Sequence, residues 1–150
     1  MPNDYRTFLT THPVLLAPRA GITDVVFRQL CVEQGASLTF TEMVSAKGLQ
    51  YGNERTENLL QIAPNEDHVG VQLFGHEPSV MAKEAERLSS SLGSKLAVID
   101  INMRCPARKI VTKGDGASLM QRPREASEII RAVSNSSDVP VTVKFRRGYA

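Results

Sequence analysis

The sequence predicts an α/β chain built on a parallel sheet. Two observations carry that prediction. Short, apolar, β-branched runs recur along the 150 residues, and a longer segment of helical or turn character separates each run from the next. Continuous apolar runs of this kind suit strands covered on both faces. The pattern fits an open doubly wound sheet and the opening units of a barrel equally well.

Val14–Ala17 reads as the first strand. Thr23-Asp24 then offers an N-cap and a first-turn acid for a helix running to about Gln34, which Gly35 ends. Leu38–Phe40 is a second strand, followed by polar, weakly helical sequence from Ser45 to Leu60. Val69–Phe74 is a third strand, broken at Gly75. Pro78 opens a helix reaching about Leu92, and Gly93 stops it. Ala97–Ile101 is a fourth strand, and the loop after it carries Cys105, Gly114 and Gly116. Pro123 opens another helix with Ala126, Ile129, Ile130 and Val133 on one face. Pro140–Phe145 is a fifth strand, after which no helix follows before Ala150. A closed eight-stranded barrel needs about 250 residues, so this length predicts only part of one.

Composition narrows the functional classes. Hydrophobic residues make up 41% and charged residues 23%, the balance of an ordinary globular domain. A formal net charge of +2 leans only slightly toward polyanionic partners. No apolar run approaches the roughly 20 residues of a membrane span, and Met1–Thr10 lacks a signal-type apolar stretch. Cys31 and Cys105 form no CxxC pair, which fits a reducing cytoplasm, and Cys31 is expected to pack within its helix. His12, His68 and His76 show no ligand spacing, so no metal is expected. Gly114-Asp115-Gly116 lacks the spacing and strand context of a phosphate-binding loop and reads as a flexible loop.

In parallel α/β proteins chemistry gathers just past the carboxyl ends of strands. Pro18-Arg19-Ala20 follows the first strand and Thr41-Glu42-Met43 the second. Gln72 lies on the third, Asn102 and Cys105 at the end of the fourth, and Lys144 on the fifth. Two amides, a thiol and a cation on one rim form a polar constellation. Each has a plainer role when taken singly: a lone Cys is usually a small buried hydrophobe, Gln72 could bond a loop, and Lys144 could be a surface charge.

These segments resemble the tRNA-dihydrouridine synthase family of the bacterial type. The matching stretches are Leu16 to Asp24 through Phe27-Arg28, Thr41-Glu42-Met43, Val71 to Gly75, Asp100-Ile101-Asn102 with Cys105-Pro106, Lys109 to Pro123, and Val141 to Lys144. They occur in family order over nearly the whole chain. The resemblance implies a partial TIM (β/α)8 barrel comprising about the first five β/α units. Residues 1–150 would be the N-terminal portion of an FMN-binding catalytic domain, with the later strands and a helical tRNA-binding domain absent.

The resemblance further implies reduction of the C5–C6 bond of uridine in tRNA to dihydrouridine, with FMN as cofactor and NADPH as reductant. Pro18, Arg19, Ala20 and Gln72 would contact the flavin, and Lys144 would sit near its N1–O2 edge. Asn102 would hold the uracil, and Cys105 would donate the proton. Two positions depart from the family pattern: Arg19 stands where Met is usual, and Arg104 where Gly is usual. A long side chain at Arg104 could crowd flavin or uracil, or misplace the thiol. With that departure, and without the later phosphate-holding loops, the chain alone is expected to bind FMN weakly or not at all. Its open strand edges are expected to favour association. The readings kept beside this one are an FMN barrel acting on a free pyrimidine, as in a dihydroorotate dehydrogenase relative, and a non-catalytic remnant.

Overall fold

The computed structural model describes residues 5–149. Its order of elements is α1 (Tyr5–Thr11), β1 (Leu15–Leu16), α2 (Val25–Glu33), β2 (Leu38–Ser45), α3 (Ala46–Gln50), α4 (Glu54–Glu57), β3 (Val69–Phe74), α5 (Pro78–Leu92), β4 (Leu96–Met103), α6 (Arg108–Val111), α7 (Pro123–Ser136) and β5 (Val141–Phe145). All four strand pairings are parallel, and the spatial order is β1-β2-β3-β4-β5. A doubly wound sheet reverses its strand order at a switch point. Here nothing reverses, and the strands curl into a half-barrel, the first five units of a TIM-type barrel.

The two faces of the sheet differ in chemistry. Val71 and Leu73 of β3 and Ile99, Ile101 and Met103 of β4 pack against Val80, Met81, Ala85 and Leu88 of α5 and Ile129 and Val133 of α7. Each such side chain contributes about 1.5–3 kcal/mol on full burial. The alternate residues point to the concave side, as the period of a strand requires. At its base Phe8 of α1 packs with Leu38, Phe40 and Val98 and closes the floor. Gly70 of β3 makes room there, because a Cβ at that position would overlap the Phe40 ring.

The middle of the chain matches the sequence reading closely, and the ends and loops do not. α5 runs from Pro78 to Leu92 as expected, and Asp24 caps α2 by accepting from Phe27 N–H at 2.8 Å. α1 was not foreseen; its seven residues are polar except for Tyr5, Phe8 and Leu9, and it forms because Phe8 is buried against the sheet. β1 is only two residues long and β2 runs on to Ser45, so Thr41, Glu42 and Met43 belong to a strand rather than to a loop. The Gly114–Gly116 segment is a packed turn, not a flexible loop, with Asp115 and Gly116 both buried. Cys31 is only partly buried, because α2 leaves Val26, Phe27 and Leu30 exposed and anchors itself through Arg28. Residues 1–4 and 150 lie outside the description, so the reading of Met1–Thr10 is seen only from Tyr5 onward.

Candidate active site

The concave face carries a continuous line of buried polar groups between β5 and the loop after β4. Thr142 Oγ1 donates to Asp100 Oδ1 at 2.7 Å. Gln72 Nε2 donates to Asp100 Oδ2 at 2.6 Å, and Asn102 Nδ2 donates to Gln72 Oε1 at 2.8 Å. Asn102 Oδ1 then accepts the backbone N–H groups of Arg104 (3.1 Å) and Cys105 (3.0 Å). Register explains the alignment: Gln72 pairs with Asp100, Asp100 with Thr142, and Asn102 with Lys144.

The sequence-predicted residues therefore divide into two groups. Gln72, Asn102 and the Cys105 backbone are joined by direct hydrogen bonds, and Lys144 stands in register beside Asn102. Pro18, Arg19 and Ala20 lie on the loop after β1, where Thr23 Oγ1 bonds both the N–H and the C=O of Arg19. That loop is tied to the rim of β2 by Gly21 N–H donating to Glu42. No hydrogen bond links it to Gln72 among the described residues. The sequence reading missed Asp100 and Thr142. The signal was their position, since both occupy the same alternation as Asn102 and Lys144.

Two local devices shape the site. β2 carries a register shift between Phe40 and Met43, where Thr41 Oγ1 accepts from Gln72 N–H at 3.3 Å in place of a ladder carbonyl. Such a bulge re-aims the residues next to it. Below Cys105, Ala117 N–H donates to the Cys105 carbonyl at 3.0 Å, and Gly116 sits at φ +60° against it. A Cβ on Gly116 would lie 2.7 Å from that carbonyl, so the turn requires glycine. The turn is fixed further by Asp115, which accepts from His76 Nδ1 at 2.7 Å.

Arg104 causes no backbone strain, because no residue other than glycine has positive φ among those described. Its side chain is exposed. It does act electrostatically: burial and the Arg104 guanidinium hold Lys144 below the usual lysine range, with Asp100 opposing them. Burial pushes the Asp100 carboxyl up, although bonds from Gln72 and Thr142 and the Lys144 charge pull the other way. Burial, and after it the Asp100 charge, push the Tyr5 hydroxyl of α1 above its ordinary range.

The amide inventory shows what the arrangement can do. Gln72 and Asn102 have two N–H donors each and spend one each within the line. Among the described residues each keeps one donor for a carbonyl or ring nitrogen, with Lys144 in register beside Asn102 and the Cys105 backbone bonded to it. A flat heterocycle with acceptor edges fits that donor set. Among the described residues no group of three or more His, Cys, Asp or Glu could hold a metal ion, and no helix is long and apolar enough to cross a membrane. A cleft of about 700 Å³ opens past the carboxyl ends of β2 and β3, with Lys47, His76, Lys109 and Lys113 among its walls.

Comparison with known proteins places the chain in a family. The family model described as Dihydrouridine synthase (Dus) matches residues 15–150. The chain is 39% identical over 141 residues to a probable tRNA-dihydrouridine synthase of Treponema pallidum, covering 91% of this chain and 41% of the relative. It is 41% identical over 137 residues to tRNA-dihydrouridine synthase B of Pseudomonas aeruginosa, covering 91% and 40%. It is 41% identical over 138 residues to tRNA-dihydrouridine synthase B of Escherichia coli K12, covering 91% and 42%. The chain thus spans about two fifths of the length of the curated relatives it matches.

Proposed function

Because the chain belongs to the dihydrouridine synthase family, we propose that it supplies the first five β/α units of a TIM-barrel catalytic domain that reduces the C5–C6 bond of uridine in tRNA. FMN is the proposed cofactor, NADPH the reductant and the cytoplasm the compartment. The observation that carries this reading is the direct bond between Asn102 and the Cys105 backbone, on the face where Gln72 and Lys144 also lie.

The residues fit the chemistry. Gln72 and the Pro18–Ala20 backbone would hold the isoalloxazine ring, and Lys144 would lie toward its N1–O2 edge, where a cation favours the anionic reduced form. When bound, the flavin supplies a hydride to C6 of the base. Asn102 uses its remaining N–H to hold the uracil. Cys105 gives a proton to C5, and its thiolate recovers a proton from solvent; a thiol suits this because it is mostly protonated near neutrality. The base must leave its stack to reach this face. Phosphate contacts and shape would supply most of the affinity for tRNA.

Titration of isotope-labelled protein with FMN, and then with a uridine-containing tRNA fragment, tests the reading by NMR even if binding is weak. Shifts should centre on Gln72, Asn102, Lys144 and the 104–106 loop. Shifts confined to the α5–α7 surface would overturn it. Where turnover is measured, Cys105→Ala should slow dihydrouridine formation by about 10²–10⁴-fold, the usual loss for a general acid, without changing flavin binding.

A further inference from the structure

The line of hydrogen bonds from Thr142 to Cys105 has a direction, and its origin is a residue with no part in the reaction as described above. An ionised carboxylate accepts hydrogen bonds and donates none. Asp100 Oδ2 therefore requires the N–H₂ end of Gln72, at 2.6 Å. That turns Gln72 Oε1 toward Asn102, which must answer with its own N–H₂ at 2.8 Å. Asn102 is left with its oxygen facing the loop, where two backbone N–H groups demand an acceptor. Both ends of the line thus force the same choice, and only one orientation of each amide satisfies both.

We propose that Asp100 is a positioning residue that sets the polarity of this line, and through it the carboxamide orientation of Asn102 and the seat of the Cys105 backbone. Its catalytic consequence rests on the reading in the preceding subsection; its structural consequence does not. A purely structural role explains the arrangement less well. Asp100 is 5% exposed and makes no ion pair among the described residues, whereas a buried carboxylate kept for stability is normally paired with a cation, as Glu66 is with Arg28. Among the described residues, those that bond it or interact with its charge are Gln72 from β3, Thr142 and Lys144 from β5, and Tyr5 from α1. Reversing the line would bring the Asn102 N–H₂ against the N–H of Cys105, two donors face to face.

Moving the carboxylate by one link tests this. In Asp100→Asn the acceptor-only group is lost, and the orientation of both amides is selected from the loop end alone. In the double variant Asp100→Asn with Gln72→Glu, residue 100 donates to a carboxylate at 72, which still accepts from Asn102, so polarity at Asn102 is restored. Gln72→Glu alone opposes two carboxylates. The readout is the rate of Cys105 alkylation by iodoacetamide in a Cys31→Ser background, with urea unfolding measured in parallel.

Asp100→Asn should change the alkylation rate by about fivefold or more, a size expected of coupled hydrogen-bonded neighbours. The double variant should return it to near the parent value. If both single variants fail to fold and the double variant folds, the proposal stands. An unchanged rate in Asp100→Asn, or a double variant no better than the worse single one, overturns it. Neither outcome depends on whether the protein acts on tRNA.

Discussion

Glu66 and Asp100 are both buried carboxylates in the same half-barrel, and they are held in opposite ways. Glu66 meets Arg28 Nε at 2.8 Å and also accepts from Thr39 Oγ1 at 2.6 Å and Ala63 N–H at 2.7 Å. Burial would raise its pKa, but the bonds from Arg28, Thr39 and Ala63 and the Arg28 charge outweigh it and hold the carboxyl below its ordinary range. Asp100 has no ion pair among the described residues, only the more distant charge of Lys144, and burial wins there. The first cluster is closed, since Arg28 also spends donors on the carbonyls of Thr23 and Gln61. The second, among the described residues, still has an unspent N–H on each of Gln72 and Asn102. Of two polar clusters in one core, the closed one fastens α2 and the 61–66 loop to the sheet, and the open one is left able to bind something.

The largest effect should come from the closed cluster. Glu66→Ala leaves Arg28 buried without its counter-charge and should cost about 3–5 kcal/mol of stability, read by urea denaturation. A loss under about 1 kcal/mol, the level of an exposed pair, would erase the contrast. Next, Gly116→Ala should cost about 1–3 kcal/mol, from left-handed backbone strain and collision with the Cys105 carbonyl, and should accelerate hydrogen exchange around residues 104–117. An unaltered exchange pattern would show that the turn does not brace the loop.

The acid titration should separate the two carboxylates by sign. The lowered pKa of Glu66 gives stability that is present above the ordinary glutamate value and lost as pH falls through the folded value. The raised pKa of Asp100 does the reverse: folding is favoured below the ordinary aspartate value, and that advantage is lost as pH rises through the folded value. Glu66→Gln should therefore flatten the loss of stability on acidification, and Asp100→Asn should steepen it. Equal slopes for the two variants would mean that the environments are not opposite. The smallest expected effect is at Arg104: Arg104→Ala should raise the Lys144 pKa, followed by the NMR shift of its side chain through alkaline titration.

The regular parts of the fold were legible because local rules decide them. Pro78 and Gly93 bracket α5, and Asp24 caps α2, by chemistry that needs no tertiary information. α1 was not legible, since its formation depends on Phe8 meeting Leu38, Phe40 and Val98, residues distant in sequence. The site was half legible. Strand ends brought Gln72, Asn102, Cys105 and Lys144 to notice, but Asp100 passed as part of an apolar strand because its partners lie 28 and 42 residues away. The turn at Gly114–Gly116 was misread for a similar reason: its rigidity comes from His76 and Cys105, not from its own composition.

The Phe8–Phe40 floor has a consequence for the concave face. Aromatic rings pack across the amino ends of the strands and cover the concave face at that end. The 104–117 loop lies at the opposite, carboxyl end of β4, so the aromatic floor and the loop that carries Cys105 bound the concave face from its two ends.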